Sequence, residues 1–242
     1  MQAALFDLDG TLLQLDTEEF TAEYLKEICR AVAPVVDPAR FVKALMAGTE
    51  AMRSNRNPQV TNENAFWMDF RPRLADIIEE LEPVIRDFYD HGFKKLARAV
   101  RPCPGARRAV RAAVNSGLRI VLATNPVFPL SAIRDRMVWA GVEDFPWEFA
   151  TSYEEMHFCK PHPEYYREIA CRLGLPENLC LMAGNDAAED LAAARVGMRT
   201  YLVTDHLIDP GRMELSPDWL GSLENLADWL EGSGRGLCDP NH

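Results

Sequence analysis

An α/β fold, with a parallel sheet covered on both faces and an all-helical block inserted after the first strand, is predicted by three features of the 242-residue chain. Short, continuously apolar runs alternate with helical periodicities from residue 101 onward, the signature of strands buried on both faces. A further such run opens the chain. Between them, residues 14–100 carry helical periodicity and no convincing strand.

The first run, QAALF at 2–6, ends in Asp7 and reads as a buried strand. TEEFTAEYLKEICRAVA then sets Phe20, Tyr24, Leu25 and Ile28 on one helical face. PARFVKALMAG and RPRLADIIEELEPVIRDFYDHGF repeat that pattern, separated by the turn-rich loop SNRNPQVTNEN. RPCPGARRAVRAAVNSG (101–117) is a loop running into a helix that stops at Gly117. Four more strands are expected at 118–125, 147–153, 178–186 and 198–205. Helices are expected at 130–141, 163–174 and 187–197, with a closing helix at 222–232 and a loose Gly/Pro-rich tail. The aromatic stripe Phe66, Trp67 and Phe70 reads as core.

A formal net charge of -11 disfavours a nucleic-acid or anionic-membrane surface. It does not disfavour a phosphorylated small molecule, which a local cluster of cation, Lys and backbone N–H groups can hold. Cys29, Cys103, Cys159, Cys171, Cys180 and Cys238 form no CxxC pair and read as reduced thiols. The amino terminus lacks a signal-peptide pattern and no apolar stretch approaches a membrane span, so the expected location is the cytoplasm.

Chemistry concentrates where apolar strands end. Asp7 and Asp9 follow the first, Thr124 and Asn125 the strand at 118–125, and Asn185 and Asp186 the strand at 178–186. In an open parallel sheet the carboxyl ends of the strands surround the ligand crevice, so these residues are expected to meet. In Asp7-Leu8-Asp9-Gly10-Thr11 the two carboxylates leave the strand on one side, and Gly10 permits a sharp turn. Like charges that close call for a cation, and oxygen donors point to Mg²⁺. Asp186 and Asp190 share a helical face at i, i+4, where they serve a metal or the helix dipole. Lys160, before Pro161, offers a point charge for phosphate, although a lone Lys is more often solvated.

In this order the pieces resemble the haloacid dehalogenase superfamily. DLDGT (7–11) is similar to its first motif, Thr124 in LATN to its second, Lys160 in KPHPEYY to its third and GNDAAED (184–190) to its fourth. The resemblance implies a Rossmann-like core at 1–13 and 101–242 with a helical cap at 14–100. It implies Asp7 as nucleophile, Asp9 as general acid/base, and Thr124 and Lys160 as phosphate-binding groups; Asn125 is a further phosphate-binding candidate from its own amide at the strand end. Mg²⁺ is implied on the Asp7 carboxylate, the Asp9 backbone carbonyl and Asp186. Asn185, standing where the family usually has Asp, and Asp190 are further candidates near the metal.

Asp9 bears on the reaction. Dehalogenases of this superfamily lack the second acidic residue, because a halide leaves without a proton, whereas an alkoxide needs one. The expectation is a Mg²⁺-dependent phosphatase acting on a small phosphorylated metabolite. A sugar phosphomutase uses the same groups, and a non-catalytic phosphate-binding protein shares the fold. The five matching groups argue against the last. Monomer and homodimer are not distinguished by the sequence.

Overall fold

The computed structural model describes residues 1–209, 211 and 215–232. The chain opens with β1 (Ala3–Phe6) and the short β2 (Leu13–Gln14), then enters α1 (Thr17–Val32), α2 (Pro38–Ser54), α3 (Asn62–Arg73) and α4 (Ile78–Asp87). A π-helical turn (Phe88–Gly92) and a 3-10 segment (Phe93–Ala99) lead to β3 (Arg101–Pro102), α5 (Ala106–Asn115), β4 (Arg119–Leu122) and α6 (Leu130–Ala140). Then come β5 (Trp147–Ala150), α7 (Pro163–Leu173), β6 (Cys180–Gly184), a 3-10 segment (Asp190–Val196), β7 (Arg199–Val203), β8 (Trp219–Gly221) and α8 (Leu223–Leu230).

Six strands form one sheet in the order β5-β4-β1-β6-β7-β8. Every neighbouring pair in it is parallel. β1 lies between β4 and β6, so the three strands whose ends carry polar residues are adjacent at the centre. The strand order reverses beside β1, which leaves a crevice at the carboxyl ends.

Both faces of the sheet are buried, as the continuous apolar runs require. Ala4, Phe6, Leu122, Leu181 and Ala183 pack on one side with Val110 and Leu226. Ala3, Leu5, Val121 and Met182 pack on the other with Tyr165 and Ile169. Truncating a fully buried ring such as Phe6 to Ala should cost roughly 3–5 kcal/mol.

The structure refines the expected elements. The pattern at 71–93 is not one helix: α3 ends just after Pro72, and α4 starts afresh at Ile78. Residues 187–197 form a turn and a 3-10 segment rather than an α-helix, because Asp186 takes the N–H groups of Ala188 and Glu189 on its side chain. β8 adds a sixth strand, and β2 pairs antiparallel with β3 where the helical block leaves and rejoins the sheet. Both are too short for periodicity to register. The tail from residue 233, Cys238 included, lies outside the described residues.

The helical block is fastened by side chains of its own. Asp16, Asp37 and Thr61 cap α1, α2 and α3 by accepting backbone N–H groups. Asn55 donates to the carbonyl of His157 at 2.9 Å, while Arg56 reaches His162 and Glu164. Phe66 and Phe70 stack at 4.9 Å between ring centroids, and Phe41 meets Phe70 edge-on at 6.0 Å, so these rings are core, while Trp67 packs half-buried against them.

Candidate active site

The site is assembled on the turn after β1. Asp7 continues the strand ladder, its N–H donating to the Ala183 carbonyl at 2.9 Å. Gly10 takes φ +81°, letting its N–H meet the Leu13 carbonyl at 2.8 Å and folding Thr11 back toward Asp7. The Thr11 hydroxyl lies 2.9 Å from Asn185 Oδ1 and 3.2 Å from Asp7 Oδ2, serving one acceptor at a time. Asn185 donates its amide to the His206 carbonyl at 2.7 Å, tying the end of β6 to the segment after β7, while its Oδ1 holds the turn of β1 through Thr11.

Lys160 is buried and comes in from the loop before α7 to join the end of β1 to the start of the 3-10 segment that follows β6. Its ammonium donates to Asp7 Oδ1 at 2.8 Å and to Asp190 Oδ1 at 2.6 Å. Burial alone would pull its pKa down, but the carboxylates of Asp190 and Asp7 outweigh burial and hold it well above the usual lysine range. Burial pushes the Asp190 carboxyl upward against the pull of Lys160. Asp190 Oδ2 accepts the Asp186 N–H at 2.9 Å across Gly184, where a Cβ would come within 2.1 Å of that oxygen.

Asp9 stands two residues beyond Asp7 at the edge of the space under the helical block. Arg136 of α6, itself buried, donates to Asp9 Oδ2 and stacks over Phe128 at 4.7 Å. Asp9 Oδ1 is buried with no hydrogen-bond partner. Enclosure raises the Asp9 pKa, Arg136 opposes the rise, and the neighbouring Asp7 adds to it.

Thr124 is buried at the end of β4, its carbonyl accepting from the Thr151 hydroxyl at 2.6 Å and the Tyr165 hydroxyl at 2.9 Å. Asn125 directs its amide to both oxygens of Glu189 at 3.1 Å. The structure therefore brings Asp7, Lys160, Asn185 and Asp190 into one hydrogen-bonded group through Thr11. Asp9 stands beside it, Asp186 caps the following turn, and Asn125 is committed to Glu189.

Thr11, Arg136 and Glu189 were not singled out from the sequence. Arg136 carried a signal: it shares a face of α6 with Ile133, Met137 and Ala140, all buried, so a charge sits on the apolar stripe. Glu189 had none of that kind, since an acidic residue ahead of a helix is ordinary; its partners are Asn125 and Arg53, the latter at 3.6 Å from the helical block.

A divalent cation suits this donor set. Asp7, Asp9, Asp186, Glu189 and Asp190 gather here with the cations Lys160, Arg136 and Arg53, leaving an excess of negative charge on oxygen donors. These charges act on one another: Asp7 raises Asp9, Asp190 and Glu189. With the orphaned Asp9 Oδ1, this is the environment that a hard cation relieves. Among the described residues, no three Asp, Glu, His or Cys side chains already converge as a ligand cage.

The family model for haloacid dehalogenase-like hydrolases matches residues 1–197. The chain belongs to this family. It is a hydrolase with a parallel six-stranded α/β core. Hexitol phosphatase B of Escherichia coli is 25% identical over 208 residues, covering 83% of this chain and 82% of that protein. N-acetylmuramic acid 6-phosphate phosphatase of Pseudomonas aeruginosa is 25% identical over 245 residues, covering 99% and 97%. In fold, the chain is similar to a crystallised HAD phosphatase from Thermococcus onnurineus, with a TM-score of 0.58, 17% identity and coverage of 97% and 98%.

Proposed function

We propose that this hydrolase is a Mg²⁺-dependent phosphatase of a small phosphorylated metabolite, working through an aspartyl-phosphate on Asp7. The observation that carries the reading is the position of Asp7. It ends the central strand, is held by Lys160 and Thr11, and has a second carboxylate two residues away. The names of the two phosphatase relatives support a phosphoric monoester as substrate.

Lys160 and Thr124 would hold the phosphoryl group so that an Asp7 oxygen attacks phosphorus in line with the leaving oxygen. Asp9 would give its proton to the departing alkoxide and then take one from the water that cleaves the acyl phosphate. Such proton transfer contributes typically about 10²–10⁴-fold. Its raised pKa suits a carboxyl that must carry a proton at one stage. Asp7, the Asp9 carbonyl and Asp186 would hold Mg²⁺, with Asn185 and Asp190 around them. The chemistry Mg²⁺ supplies when bound is neutralisation of phosphate oxygens. Residues 14–100 would act as the cap over a core of 1–13 and 101–242. Reduced thiols fit a cytoplasmic setting, the five described cysteines being free.

The test is phosphate release from a panel of phosphorylated metabolites with Mg²⁺, with EDTA and for Asp7→Asn. Release with Mg²⁺ that both changes abolish supports the reading. Isomerisation of a sugar phosphate without release would transfer the assignment to a mutase, and binding without turnover would leave only phosphate recognition.

A further inference from the structure

The space in front of Asp9 says what kind of alcohol the site accepts. A cavity of about 240 Å³ lies between the helical block and the carboxyl ends of the strands, with Asp9 in its wall. Its remaining lining is contributed by side chains such as Phe20, Leu25, Ile28, Leu45 and Trp67, with Phe128 on the sheet side. Besides Asp9, the polar groups there are hydroxyls of Thr and Tyr and the indole N–H of Trp67, and two of the hydroxyls, on Tyr24 and Tyr89, are bonded to each other at 2.8 Å. Asp9 is the only charged residue in the lining, which contains no Lys, Arg, His, Asn or Gln among the described residues.

That lining discriminates. A polyol chain brought into it would bury several hydroxyls with too few partners, and each unsatisfied group weakens binding. A second carboxylate or phosphate on the substrate would find no lining cation to pair with, because Arg136 outside the lining is already committed to Asp9. An alkyl or aromatic group loses nothing on entry and gains from leaving water. The volume lies below the roughly 300–1,000 Å³ of a typical ligand site, which favours a compact group.

We propose that the substrate is a phosphate monoester of a compact apolar alcohol or phenol, its hydrocarbon part seated in this cavity and its bridging oxygen toward Asp9. The inference rests on the phosphatase reading above and departs from the polyol named in one relative.

The test compares kcat/KM of the purified full-length chain with Mg²⁺ for benzyl phosphate, hexyl phosphate, a hexitol phosphate and phosphoglycolate. Acetyl phosphate is included because it requires Asp7 but has almost nothing to place in the cavity. Benzyl and hexyl phosphate should exceed the other two esters by roughly 10- to 100-fold, the effect of leaving one or two buried polar groups unpaired. Met46→Lys puts a cation on a cavity-lining side chain that is 54% exposed, so folding should tolerate it. It should shift the benzyl phosphate to phosphoglycolate ratio toward phosphoglycolate by about tenfold, one close charge pair in partly screened surroundings. Acetyl phosphate turnover together with a preference for hexitol phosphate or phosphoglycolate would overturn the inference and leave the phosphatase reading standing. No turnover of any compound, acetyl phosphate included, would overturn both.

Discussion

Arg136 and Asp9 form an ion pair in which the guanidinium is 1% exposed and the carboxylate side chain 32% exposed. Arg136 Nε and Nη2 have no partners, nor does Asp9 Oδ1, so each residue is the main compensation for the other. Removing one partner of a buried pair is costlier than removing both, at about 3–5 kcal/mol when burial is complete. With a third of Asp9 open, about 1–3 kcal/mol is expected for Arg136→Met. The double variant Arg136→Met/Asp9→Asn should lose less than the sum of the singles in urea unfolding. Additive losses would mean that the pair is not coupled.

The same pair has a pH signature. Asp9 is raised above 3.8 by enclosure and restrained by Arg136, so ionising it in the folded state opposes stability as pH rises above that value. Without Arg136 the carboxyl moves further up and the opposition grows. The destabilisation caused by Arg136→Met should therefore be largest near pH 7 and shrink toward pH 3.5, where Asp9 is largely protonated in both states. Urea midpoints of both proteins across that range decide it, and a pH-independent difference would assign the loss to packing on Phe128.

Lys160 separates Asp7 from Asp190 at 2.8 and 2.6 Å. Lys160→Met would leave two buried carboxylates facing each other, one of which must take a proton. A loss of about 3–5 kcal/mol is expected at pH 7. Asp190→Asn in the same background should restore part of it, because it removes one of the two charges. Thermal melts of the three variants check this, and calorimetry with inorganic phosphate should show weaker binding for Lys160→Met.

How much of this was legible in the sequence follows from which interactions are local. β1 and the Asp7–Thr11 turn are encoded by a continuous apolar run and a glycine, so strand, turn and paired carboxylates could all be read. The strand-end rule placed Asp7, Thr124 and Asn185 at one edge of the sheet, and β4, β1 and β6, which carry them, are adjacent. The link from Arg136 to Asp9 spans 127 residues and depends on how α6 packs, which periodicity does not encode. Residues 187–197 were misread because helical propensity in an Ala-rich segment gave no weight to Asp186 capturing two backbone N–H groups.

The buried thiols predict reactivity. Burial raises Cys103 and Cys159 from 9.0 to about 12, whereas Cys171 is exposed. A raised pKa keeps the thiolate scarce at pH 8, and burial also denies the reagent access. Iodoacetamide at pH 8 should label Cys171 in the folded protein and reach Cys103 and Cys159 only after urea unfolding, as read by peptide mass spectrometry. Folded-state pKa values above the unfolded ones also mean that stability is retained below about pH 9 and falls toward pH 12. Rapid labelling of Cys159 in the native state would contradict the packing described.

Gly184 is the point where backbone and site chemistry constrain each other most tightly. A Cβ there would come within 2.1 Å of Asp190 Oδ2, the oxygen that accepts the Asp186 N–H, while Asp190 Oδ1 holds Lys160. Gly184→Ala must therefore push the Asp190 carboxylate off both partners or move β6. An overpacking cost of about 1–3 kcal/mol is expected. Since Lys160 also holds Asp7, phosphatase activity should fall with it. The second-site test is Asp190→Ser, whose shorter side chain vacates the position of the clash. In that background Gly184→Ala should cost at least about 1 kcal/mol less than in the parent protein, a coupling expected of residues in contact. Equal costs in both backgrounds, measured by urea unfolding, would show that the alanine is absorbed by the strand and that Gly184 does not govern where Asp190 lies.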